Sequence, residues 1–188
     1  MESFMIIEVV GFDPSLTHWG SAKVNLDLDT GHVNSPELDV FMPTVKKTKQ
    51  VRVNSTDLAK AEQLFSQAYA VCKDAKAVFV ELPVGSQSAR AMASYGICVG
   101  VTASLRALGV PIIEVTALDS KECLTGNRKA SKEEMIQAAI EQYPEANWPT
   151  RKGEVIASQA EHMADAIAAI HSGVQTDTFK QLMRLLGK

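Results

Sequence analysis

Apolar residues cluster first in three short runs. Residues 5 to 12, 19 to 28 and 32 to 42 each read as a β-strand, separated by Asp13-Pro14-Ser15 and by the hairpin-turn sequence Asp29-Thr30-Gly31. An antiparallel meander is therefore expected to open the domain. The pattern then changes. Lys46, Lys47, Lys49 and Arg52 interrupt the apolar runs, and from Ser55 or Thr56 the spacing of Leu58, Ala61, Leu64, Phe65 and Ala68 is helical.

Two compact apolar runs follow, Lys76 to Glu81 and Val110 to Val115, each typical of a buried strand. Between them, from about Ser88 to Leu108, the chain reads as a long helix with small residues at Ala89, Ala93, Gly96, Gly100 and Ala103. Such residues let a backbone approach a sheet or another helix closely. Ser131-Lys132-Glu133-Glu134 has the Ser-x-x-Glu form of a capping box and starts a helix to Tyr143. Ser158-Gln159-Ala160-Glu161 repeats that form ahead of a helix whose apolar stripe is Ala160, Met163, Ala164, Ile167 and Ile170. Residues 174 to 186 add a short terminal helix. The order βββαβαβα with further helices predicts one α/β domain over residues 1 to 188, a mixed five-stranded sheet with helices packed in layers on it.

Composition narrows the classes. The 188 residues, 46% hydrophobic and 22% charged, suit one globular domain rather than a disordered chain. A formal charge of −3 excludes nucleic-acid binding by bulk charge, so a nucleic-acid site has to be local. Cys72, Cys98 and Cys123 lack C-x-x-C spacing and read as reduced, mostly buried thiols. Glu2 in place of a basic leader, and no apolar stretch near the ~20 residues of a spanning helix, point to a soluble cytoplasmic protein.

The candidate chemistry lies in acids placed at element ends. Asp13 follows the first apolar run directly, and Glu81 ends the fourth in Val78-Phe79-Val80-Glu81. Either alone is commonly a solvated strand edge; two in one chain suggest a shared site. On the late helix, His162 and Asp165 are three apart and project from one face, and Glu161 and Asp165 are four apart and nearly as close. If Ser158 is the N-cap, Glu161 folds back onto a backbone amide, which leaves His162 and Asp165 for chemistry. Three carboxylates and an imidazole from two strands and a helix suit two oxygen-seeking divalent ions, which ~3.5 to 4 Å apart stabilise the attacking and leaving oxygens of phosphodiester displacement. Mg²⁺ is implied, with Mn²⁺ able to substitute.

The chain resembles the RuvC family of Holliday-junction resolvases, within the RNase H-like superfamily. The resemblance rests on Gly11-Phe12-Asp13-Pro14-Ser15, Val78-Phe79-Val80-Glu81 and Gln159 to Ala168, in order, and spans nearly the whole chain. It implies an RNase H-like three-layer fold, catalytic and metal-binding roles for Asp13, Glu81, His162 and Asp165, and a homodimer acting on four-way or other branched DNA. It also implies that Lys121 and Lys132, around Leu124-Thr125-Gly126-Asn127-Arg128-Lys129, form with Lys46, Lys47, Lys49 and Arg52 a phosphate-binding rim; Arg128 and Lys129 belong to that rim. Cellular members place an aromatic residue after the strand-four glutamate, where this chain has Leu82-Pro83-Val84-Gly85, and divergent bacteriophage proteins are the natural class for such a variant. Rival expectations are an RNase H-like nuclease for flaps, forks or hybrids, and a non-catalytic factor that binds DNA structures.

Overall fold

The computed structural model describes residues 5–34, 36–46 and 51–185. Strands β1 (Ile6–Asp13), β2 (Trp19–Asp27) and β3 (Glu37–Phe41) form the expected meander. Helix α1 (Val53–Cys72), β4 (Ala77–Glu81), α2 (Ala89–Ala107) and β5 (Ile112–Val115) follow. The chain then runs through α3 (Ala117–Thr125), α4 (Lys132–Gln142), a small hairpin of β6 (Thr150–Arg151) and β7 (Glu154–Val155), α5 (Ala157–Gly173) and α6 (Asp177–Leu185). The sheet order is β3-β2-β1-β4-β5, with β1, β4 and β5 parallel and the first three strands antiparallel. Among the described residues no helix is long and apolar enough to cross a membrane.

The two faces of the sheet are sorted by alternation. Val10, Phe12, Trp19, Val78 and Val80 pack with Leu64, Ala68, Cys98 and Leu105 of α1 and α2. Ile7, Val9, Ala22, Val24, Ala77 and Phe79 point the other way, onto Met163, Ala166, Ile167 and Ile170 of α5. Successive side chains of a strand leave opposite faces, so Gly11 and Asp13 share the α5 face with Val9, and Glu81 shares it with Phe79. That parity aims both strand-end acids at one helix.

Several boundaries moved. The third strand is shorter than expected, because Val33 makes only an isolated bridge to Leu26. In α1 the buried stripe includes Asp57, held by a bidentate bond from Arg90 of α2 (Nη2 to Oδ1, 2.8 Å), while Leu58 is 71% exposed. The Arg90 guanidinium holds the Asp57 carboxyl below the usual carboxylate range. The small residues of α2 do not pack against the sheet: Cys98, Val101, Thr102 and Leu105 do, and the space around Gly96 and Gly100 is open. Cys72 and Cys98 are buried as expected, whereas Cys123 is exposed.

Two caps went different ways. Ser131 and Glu134 form the predicted reciprocal box at α4. Ser158 does not cap α5. Its N-cap is Ile156, with no side-chain cap bond, because the Ile156 amide closes the base of the β6–β7 hairpin on the Pro149 carbonyl at 2.8 Å. The hairpin therefore sets where the helix begins. Neither that hairpin nor α3 stands out in the pattern of residues; Leu124 and Thr125 end α3, and Gly126 caps it in the left-handed conformation with φ 74°.

Candidate active site

Close backbone approach brings α5 onto the sheet. A Cβ on Gly20 would lie 2.0 Å from the His162 carbonyl oxygen, one on Gly11 2.0 Å from the Ala166 oxygen, and one on Gly173 2.0 Å from the Phe79 ring. The helix thus crosses β2, β1 and β4 in turn on three points where a side chain is missing. Its first turns come to rest against the end of β1.

There Asp13 meets His162: Oδ2 lies 2.6 Å from Nδ1 across 149 positions of sequence. Asp13, Glu81, Glu161, His162 and Asp165 line one cleft of about 350 Å³. All four predicted site residues are brought together. Glu161 joins them, but not as a cap: its carboxylate is ion-paired with Lys132. Leu82, Pro83 and Val84 from the loop after Glu81 also line the cleft, as does Tyr95 from α2.

The electrostatics of the cleft are those of crowded acids. Burial pushes the Glu81 carboxyl up to about 7, with the Asp13 charge adding and Lys121 opposing. Burial likewise raises Asp165 to about 7, helped by Asp13, Glu81 and Glu161 and offset by His162. For His162, burial works against the charged form, but the Asp13 bond and the surrounding acids outweigh it and raise the value. Near neutral pH the site therefore holds crowded, poorly solvated negative charge that a cation would relieve. The donors suit a hard divalent ion, oxygen from three carboxylates and one imidazole nitrogen. Among the described residues no three of them stand close enough to form a ready-made metal-binding group.

This charge pattern has a measurable consequence. Groups whose values rise on folding stabilise the protein below their ordinary range and lose that contribution as pH climbs through the raised value. For Glu81 and Asp165 the window runs from about 4 to about 7, and His162 has the same sign. Buried His171, whose value is lowered, acts oppositely near its ordinary value of 6.5. Comparing the parent with Glu81→Gln/Asp165→Asn cancels His171. Metal-free parent protein is expected to gain on the order of 2 kcal/mol more than the double variant between pH 8 and pH 5.5. Thermal melts at the two pH values check this, and parallel curves for the two proteins would contradict the crowding.

Part of the predicted cationic rim, Lys121, Arg128 and Lys132, is committed to internal partners. Lys121 donates to the Ala130 carbonyl at 2.8 Å while still facing Glu81. Arg128 pairs with Asp119 at 2.6 Å and Glu122 at 3.2 Å, and Lys132 with Glu161. Lys46, Arg52 and Lys129 are exposed, and Lys47 and Lys49 lie outside the described residues. Sequence reasoning missed His18, whose ring stacks on His162 with centroids 5.6 Å apart and planes 8° from parallel. The available signal was parity, since His18 and Gly20 flank the buried Trp19 and so share the face toward α5.

No protein-family model and no curated protein sequence matches the chain. Solved structures do. The structure of Thermus thermophilus RuvC superposes with a TM-score of 0.59 over 94% of this chain and 97% of that one, at 19% identity. T. thermophilus RuvC in complex with Holliday junction substrate gives 0.60 over 95% and 96%, again at 19% identity. With its strand order and its helix α5 laid across the meander, this chain has the RuvC fold, the RNase H-like α/β architecture that its motifs imply.

Proposed function

We propose that the protein is a divalent-metal-dependent endonuclease that resolves Holliday junctions or closely related branched DNA. The observation that carries the reading is the convergence of Asp13, Glu81, His162 and Asp165 in one cleft of a RuvC fold. The solved relative is recorded with a Holliday junction substrate, which makes a four-way junction the first substrate to test.

Asp13, Glu81 and Asp165 would offer oxygens, and His162 its Nε2, to Mg²⁺ or Mn²⁺. Such ions, when bound, activate water and neutralise charge developing on a phosphodiester. Asp13 accepts a hydrogen bond from the Nδ1–H of His162, and in the neutral ring this leaves Nε2 as the nitrogen open to a ligand. Lys121, Lys132, Lys129, Arg128, Arg52 and Lys46 would neutralise DNA phosphates, with Lys132 exchanging Glu161 for the backbone. The open face of α2 around Gly96 and Gly100 is the surface that would bring a second copy against the first, as paired symmetric cuts require.

The loop after Glu81 carries no aromatic residue, and this favours a second reading, a nuclease of flaps or forks. A panel of four-way junction, flap, fork, plain duplex and RNA–DNA hybrid in Mg²⁺ or Mn²⁺ separates the two. Symmetric paired nicks confined to the junction are expected. Preferential flap cutting would support the rival, and no cutting of any substrate would remove the nuclease reading.

A further inference from the structure

We propose that His18 is a positioning residue of this site, which clamps the His162 ring so that Nε2 is presented to the cleft; the inference rests on the nuclease reading above. Three contacts converge on His162 from one short stretch of chain. Asp13, at the end of β1, accepts from Nδ1 at 2.6 Å. Gly20, paired with Asp13 across the β1–β2 ladder, lets the His162 backbone sit against β2. His18, two residues before Gly20 on the same face, lays its ring parallel on the imidazole.

Each contact removes a different freedom. The glycine sets the position of the helix turn, the carboxylate sets which nitrogen is engaged, and a single hydrogen bond still allows the ring to swing about it. A stacked ring 5.6 Å away and 8° from parallel removes that swing. His18 is itself tethered, with its Nδ1 3.2 Å from Thr17 Oγ1. His18 is not among the residues that line the cleft, so it acts through the neighbouring ring and not on substrate. Groups that orient a metal-ligating histidine commonly matter 10- to 100-fold in metal affinity.

The experiment compares His18→Ala with His18→Phe, which keeps a flat ring without a nitrogen. In metal-free protein the His162 Nδ1 proton is expected to be visible by NMR in the parent and in His18→Phe, and to exchange away in His18→Ala. Calorimetric titration with Mn²⁺ alone is expected to show about 10-fold weaker binding for His18→Ala and recovery in His18→Phe. On junction DNA, kcat falls about tenfold in His18→Ala with KM unchanged. A His18→Ala protein equal to the parent overturns the proposal, and so does a His18→Phe protein as impaired as His18→Ala, since that would give the second imidazole a chemical role of its own. The proton measurement needs neither metal nor DNA. A parent that cuts nothing while the Nδ1 proton behaves as expected therefore fails the nuclease reading and leaves the clamp standing.

Discussion

Asp13→Asn is expected to abolish DNA cleavage, a loss on the order of 10³-fold or more, in a protein that melts at least as high as its parent at pH 8. The amide oxygen can still accept from His162 Nδ1, so the contact seen at 2.6 Å survives while the charge does not. The charge is what matters for both halves of the expectation. Burial is the main cause that raises Glu81 and Asp165 and the Asp13 charge adds to it, so removing that charge lowers both only part of the way. Less repulsion is then stored in the metal-free fold above pH 7, and the gain fades as the pH falls toward 5, where the acids are protonated in either protein. Cleavage assays and melts at pH 8 and pH 5 check the two parts. An active Asp13→Asn protein would take Asp13 out of the chemistry, and unchanged melting at pH 8 would contradict the crowding of the acids.

Gly20→Ala is expected to cost about 1 to 3 kcal/mol of stability and to lower cleavage on the order of 100-fold, although position 20 touches no substrate. The added Cβ would meet a backbone oxygen at 2.0 Å, and a carbonyl in a helix cannot swing aside as a side-chain tip can. The first turns of α5 must lift, carrying His162 away from Asp13 and His18. Gly96→Ala is the control for the stability effect alone, because nothing lies within 4 Å of its Cβ; helix propensity there favours alanine by about 1 kcal/mol. Denaturant unfolding and single-turnover cleavage measure the two effects. Equal stability of the two variants would mean that the helix does not depend on close approach at β2.

Much of this is legible in the sequence, for reasons particular to each element. The meander, the two buried strands and the Ser131 box depend on local patterns of period two, apolar runs and side-chain capping, which act over a few residues. Asp13 and Glu81 stood out because each ends an apolar strand. The Ser158 box failed because a competing local structure, the β6–β7 hairpin, claimed the start of α5 first. Helix α3 was hidden because its amphipathic pattern is short and polar, with only Ser120 buried. The rim cations are visible as charges, but the pairing of Lys132 with Glu161 joins distant parts of the chain, and that of Arg128 with Asp119 and Glu122 depends on the turn after α3.

By itself, then, the sequence determined the fold class, the sites of four chemically capable side chains and the face of each strand, because periodicity and chain order are local properties. The tertiary structure decided what those side chains do to one another. Only the seating of α5 on Gly20 and Gly11 places His162 against Asp13 across 149 positions of chain, and only the resulting burial lifts Glu81 and Asp165 to about 7. Distance, desolvation and mutual charge belong to the packed molecule, and they turn four separate residues into one site.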